Sequence, residues 1–97
     1  MKFLYNMARY ESELRQVLQR EFDKVSFSEL RTWGALGRAQ AIIYAESAID
    51  LYEQRVLNDS RLASAGRSYG VNVADVIRDE RYNAVQRMRK KAEEIED

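Results

Sequence analysis

Residues 26 to 58 read SFSELRTWGALGRAQAIIYAESAIDLYEQRVLN, and how this stretch is read decides the fold. At about 100° per residue, Phe27, Leu30, Trp33, Gly34, Gly37, Ala41, Ile42, Tyr44, Ala45, Ala48, Ile49, Leu51, Tyr52 and Val56 fall in one continuous sector. A surface helix needs an apolar stripe only a little over ~100° wide. The stretch therefore reads as one long helix over 27–57, covered from more than one side. Its start has a local signature: Ser26 and Glu29 have the spacing of a capping box, with Val25 and Leu30 placed as a hydrophobic staple. Gly34, Gly37, Ala41, Ala45 and Ala48 follow at spacings of 3, 4, 4 and 3 and predict a smooth groove for a close helix neighbour. Leu36 and Ile43, one heptad apart, lie off the main arc and are candidates for contact with a partner.

Before this stretch, Phe3, Met7, Tyr10, Leu14 and Val17 recur at spacings of 4, 3, 4 and 3, with Leu18 beside them, which predicts an amphipathic helix over 2–23. Asp23 to Val25 would break the chain, and so short a connection makes the first two helices an antiparallel hairpin. After it, Asn58 and Asp59 mark a helix end. A short helical turn is expected near 60–66, and Gly66 and Gly70 punctuate the chain on either side of Arg67, Ser68 and Tyr69. Asn72 is placed to cap a last helix over 73–94, with Val71 and Val76 as its staple. Glu93, Glu94, Glu96 and Asp97 stand at the negative pole of that helix, so its end should fray unless a partner holds it. The expected fold is all-α: a single domain, 1–97, forming an antiparallel three-helix bundle with a long central helix.

Composition supports that class and narrows the chemistry. The 97 residues include no proline and only four glycines, with 45% apolar and 33% charged residues. This balance suits helices and argues against a disordered chain. With neither cysteine nor histidine, there can be no disulfide scaffold, thiolate metal site, cysteine nucleophile, histidine acid/base or Ser-His triad. No cofactor is implied. The N-terminal apolar run is too short for a signal sequence and no stretch is long enough to span a membrane, so a cytoplasmic location is expected.

Three groupings could carry function. Residues 61–91 hold 8 basic and 3 acidic residues, net +5. Within them Ala65, Gly66, Gly70, Val71, Asn72 and Val76 have a spacing that resembles a helix-turn-helix; Asp79 departs from the pattern, which has an apolar residue there. The resemblance implies a second helix in the major groove, with Asn72, Val73, Ala74, Ile77, Arg78 and Arg81 as readers. Glu46, Asp50 and Glu53 form an acidic row that could hold Mg²⁺ for nucleotide hydrolysis, although a charge row is more often a solvated face. Arg55 falls within the apolar arc and needs an acidic partner or a route to water, while Tyr5, Tyr10, Tyr69 and Tyr82 could stack on a partner.

Twelve of the 16 basic residues are arginine and six of the ten aromatics are tyrosine, types enriched at macromolecular contacts. The expected function is non-enzymatic: protein contact through Leu36, Ile43, Arg55 and Tyr69, as an oligomeric structural subunit or as an inhibitor or accessory factor of a larger assembly. Phage and mobile elements encode many small helical proteins of this kind. The expected partner is a second copy or a larger protein. A DNA-binding regulator using Asn72, Arg78 and Arg81 is the alternative, with nucleic acid the less favoured partner.

Overall fold

The computed structural model describes residues 2–97, with side chains from residue 6 onward, so Phe3 and Tyr5 lie outside the described side chains. Among the described residues there are four α-helices, one 3-10 turn and no strand: α1 (Lys2–Trp33), the turn Gly34–Leu36, α2 (Arg38–Leu57), α3 (Ser60–Tyr69) and α4 (Val73–Ala92). The fold is an all-α bundle, but its first two helices divide elsewhere than expected.

The predicted break at Asp23 to Val25 does not exist. Residues 2–33 contain no glycine or proline, and Tyr10, Leu14, Leu18, Phe22, Ser26 and Leu30 form an inward stripe at steps of four. Ser26 is fully buried in mid-helix, its hydroxyl donating to the Asp23 carbonyl (3.4 Å). Glu29 accepts from the Trp33 indole instead of closing a capping box. A cap is worth about 1 kcal/mol, whereas each large apolar side chain kept buried is worth about 1.5–3. The continuous stripe therefore outweighs the local signal. Val17 also leaves the predicted seam: it is exposed, and Leu18 is buried in its place.

Four residues overshoot an exact turn by about 40°, so the buried face of α1 rotates along its length. Near its start Tyr10 stacks on Tyr69 of α3 (centroids 4.6 Å apart). Farther on, Phe22 meets Tyr52 of α2 edge-on (4.9 Å) and Trp33 stacks on Tyr44 (4.1 Å).

The true break is at the glycines that the sequence placed within a helix. Gly37 has φ +97°, a conformation that L side chains rarely adopt, and its N–H donates to the Gly34 carbonyl (3.1 Å) to close the 3-10 turn. The expected five-residue groove is thereby cut, although Ala41 and Ala45 remain fully buried on α2. Later boundaries agree with expectation more closely. α2 ends at Leu57, and the Asp59 carboxylate accepts from the N–H groups of Arg61 (2.9 Å) and Leu62 (3.2 Å) to start α3, which is a full ten-residue helix. Asn72 caps α4 by accepting from Asp75 N–H (3.3 Å).

Pairings fix the directions of the long helices. Residues 15 and 23 of α1 meet 79–80 and 87 of α4, so these two run parallel; residues 46 and 50 of α2 meet 89 and 81, so α2 runs against α4. Phe22–Tyr52 and Trp33–Tyr44 set α2 against α1 as well. The bundle is up-down-up, with α3 bridging α2 and α4, and it measures 53 × 22 × 15 Å because α1 spans ~48 Å at 1.5 Å per residue. No described helix is long and apolar enough to cross a membrane.

The end of α4 does not fray into solvent as expected. The Arg38 guanidinium, from the first turn of α2, donates to the carbonyls of Ala92 (3.1 Å), Glu93 (3.3 Å) and Ile95 (2.7 Å). In return the Asp97 carboxylate accepts from Arg38 N–H (2.7 Å), where Gly37 has no side chain to cap α2. Each helix end thus receives the charge that its dipole favours. Arg38→Ala is expected to cost about 1–2 kcal/mol and to raise amide exchange at 93–97 to that of free chain. Unchanged protection there would show that Arg38 does not hold the tail.

Burial raises the Tyr10 phenol above its ordinary pKa, and the neighbouring Tyr69 adds to the effect. Burial also raises Tyr52, with Glu21 adding and Arg55 opposing. The fold disfavours both phenolates, so this stabilisation is complete below pH ~10 and is lost as pH rises through the folded-state values. A tyrosinate absorbance titration should show a component above pH ~10 that Tyr10→Phe and Tyr52→Phe each diminish. A curve unaltered by both substitutions would contradict the burial argument.

Candidate interaction surface

Most charge on the inner flanks of the long helices is paired across helices. From α1, Arg15 reaches Asp79 (2.7 Å) and Glu80 (2.8 Å) of α4, and Asp23 holds Arg87 (2.8 Å). From α2, Asp50 holds Arg81 (2.7 Å), Glu53 stands 4.0 Å from the same guanidinium, and Glu46 holds Arg89 (2.6 Å). The guanidinium pKa values reflect this pairing. Arg15 is raised chiefly by its hydrogen bond to Glu80, against the opposing effect of burial, with Asp79 and Glu11 adding. Arg81 is raised chiefly by its hydrogen bond to Asp50.

The row Glu46, Asp50 and Glu53 therefore faces arginines of α4. Among the described residues no three acidic side chains converge where they could share a cation. The same ladder engages Arg81, Arg87 and Arg89 of the basic segment. Among the described residues, Arg61, Arg67 and Arg78 are exposed and make no ion pair.

The outer surface of α2 is different in kind. Gln40, Ile43, Ser47, Leu51 and Gln54 are all exposed, and their spacings of 3, 4, 4 and 3 put them on one ridge pointing away from the core. None is charged. Ile43 is 55% and Leu51 69% exposed, and the Ser47 hydroxyl is already satisfied by donating to the Ile43 carbonyl (3.0 Å). The outer positions of α1 include Arg9, Glu13, Arg20, Lys24 and Arg31, and those of α4 include Asp75, Arg78, Asp79, Arg89 and Lys90. An uncharged ridge with two large exposed aliphatics is thus particular to α2 among the long helices.

The four expected contact residues do not form one surface. Ile43 lies on this ridge. Leu36 is 58% exposed but sits in the 3-10 turn, so the heptad relation that a continuous helix would give it with Ile43 is lost. Arg55 is exposed near the end of α2, beside Lys24, Ser28 and Tyr52, rather than held within an apolar arc. Tyr69 stacks on Tyr10, which lies about 35 Å along α1 from Trp33, the residue adjoining the Leu36 turn.

Residues 60–92 do form helix, tight turn, helix, held by close packing of Gly66 on Val73 and by Val71 N–H donating to the Gly66 carbonyl (2.8 Å). Of the six residues expected to read bases, Val73 and Ile77 are buried in the core, Asn72 uses its side chain as the α4 cap, and Arg81 is paired with Asp50. Ala74 is half-buried and Arg78 is exposed.

Sequence reasoning misses Gln40, Ser47, Leu51 and Gln54. On the wheel of α2 alone Leu51 still adjoins the apolar arc, about 20° beyond Tyr44, so its place at the edge of the arc is the one local sign of its exposure. No family model matches the chain, and no curated protein or solved structure matches it either.

Proposed function

We propose that the chain is a non-enzymatic contact module that docks against protein through the outer ridge of α2. The supporting observation is the distribution of charge: α1 and α4 turn charged side chains outward, while the outer ridge of α2 carries Ile43, Leu51 and uncharged polar groups. Desolvating such a ridge costs little, and burying its aliphatics is favourable at about 25 cal/mol per Å². A photo-crosslinking residue at position 51, in protein expressed in its native host, should give protein adducts. The same residue at position 31, on the outer face of α1, should give far fewer. Equal yields at both sites would remove this reading.

A second reading, nucleic-acid binding, is favoured by one specific observation: Arg61, Arg67 and Arg78 remain exposed and unpaired among the described residues around the α3–α4 turn. Phosphate contacts by three arginines would give a salt-sensitive shift of duplex DNA. A retardation assay at low salt should show that shift and its loss in Arg67→Ala and Arg78→Ala. An unshifted duplex would exclude it.

A further inference from the structure

The ridge of α2 has unlike flanks. On the side toward α4 stand Glu46, Asp50 and Glu53, whose carboxylates already meet Arg89 and Arg81. On the side toward α1, an open groove of about 360 Å³ runs between residues 24–29 of α1 and 48–55 of α2. Its apolar lining includes Val25 and Ala48, both half-buried, and the small side chain of Ala48 leaves the space between the helices open. Leu51 belongs to the groove and to the ridge, so the two surfaces are continuous.

Lys24 comes from one wall of the groove and Arg55 from the other. Both are exposed, and neither makes an ion pair among the described residues. The carboxylate that lines the groove, Glu29, accepts from the Trp33 indole instead. Glu21 is close enough to act on the Tyr52 phenol but forms an ion pair with neither cation. A carboxylate lodged here would gain charge-assisted hydrogen bonds from both, while an apolar group beside it would be buried against Leu51 and Ala48. A nucleic-acid backbone suits the place less well, because it repeats its charge along a track of cations, and here two cations adjoin an uncharged ridge.

We infer that the α1–α2 groove receives an acidic side chain of the protein docked on the α2 ridge, its carboxylate held by Lys24 and Arg55 and a neighbouring apolar side chain packed on Leu51. The inference rests on the contact reading above and adds the chemistry of the partner: a segment in which Asp or Glu stands next to an aliphatic or aromatic residue.

Short random peptides displayed on phage and panned against the chain should be enriched in Asp or Glu beside Leu, Ile or Phe. A selected peptide carrying a fluorophore should bind about tenfold more weakly to the Lys24→Glu, Arg55→Glu double variant. That variant should in turn select peptides rich in Lys and Arg. Both positions are exposed, so its melting temperature should match the parent's. Arg78→Glu with Lys90→Glu, exposed on α4, makes the same change in net charge and should leave the affinity unaltered. Amide shifts on adding the peptide should fall at 24–28 and 51–55.

Peptides without acidic enrichment, or equal losses of affinity in the two double variants, would overturn the inference. Duplex DNA that moves the same amides as strongly would also overturn it and give the groove to nucleic acid. These outcomes are separable from failure of the contact reading. Adducts selective for position 51, together with peptides indifferent to Lys24 and Arg55, would retain that reading while eliminating the acidic partner.

Discussion

Arg15→Ala is expected to lower stability by about 3 kcal/mol, the low end of the range for breaking a buried ion pair, and the melting temperature by roughly 12 to 24 °C. Glu80 is 2% exposed and its Oε2 accepts from Arg15 at 2.8 Å; its other oxygen has no partner among the described residues. Removing the guanidinium strands a desolvated carboxylate. The low end applies because Arg15 is 31% exposed, and water can partly fill the space it leaves. Arg15→Met combined with Glu80→Leu should recover most of the loss, since apolar groups of similar volume often replace a buried pair at no net cost. Urea denaturation measures both variants. A loss below about 1 kcal/mol for Arg15→Ala would mean that Glu80 is as well solvated without Arg15 as with it.

Gly66→Ala is expected to cost about 2 kcal/mol, although alanine is the better helix former by about 1. A Cβ at this position would collide with Val73 Cγ2 and stand 2.9 Å from the Val71 carbonyl oxygen. Overpacking of this kind costs up to about 3 kcal/mol, which outweighs the propensity gain. Adding Val73→Ala should relieve only part of the strain, because the Val71 carbonyl is backbone and remains. Amide exchange should show the damage first in α3 and the turn, where Val71 N–H bonds to the Gly66 carbonyl. A Gly66→Ala variant as stable as the parent would show that α3 shifts off α4 without penalty.

The differences between expectation and structure at Ser26 and at Gly37 have one origin. A capping box and an interior serine look alike in sequence, and the choice depends on whether the inward stripe continues past them. It does, from Tyr10 to Leu30, through a segment without a single helix breaker. Gly34 and Gly37 read as packing residues because alanines follow at matching spacing. A notional Cβ would stand 3.8 Å from Ile95 Cδ1 at Gly34 and 3.6 Å from Asp97 Oδ1 at Gly37, ordinary contact at both, and of the two only Gly37 supplies a positive φ. The acidic row on α2 and the net positive charge of residues 61–91 are visible separately in the sequence; that the row pairs with Arg81 and Arg89 of that segment across the α2–α4 interface is not.

Helical class, the end of α2 near Asn58, the Asn72 cap and the start of α4 were legible in the residues, because they rest on interactions within a few positions: periodicity, turn chemistry and side-chain caps. Helix register across Ser26, the pairing of arginines with carboxylates and the outward turn of Ile43 and Leu51 were decided by tertiary packing. Local signals there are worth about 1 kcal/mol, and burying several large side chains along one unbroken helix is worth several times that. The face that α2 presents to solvent is set by which of its flanks α1 and α4 cover.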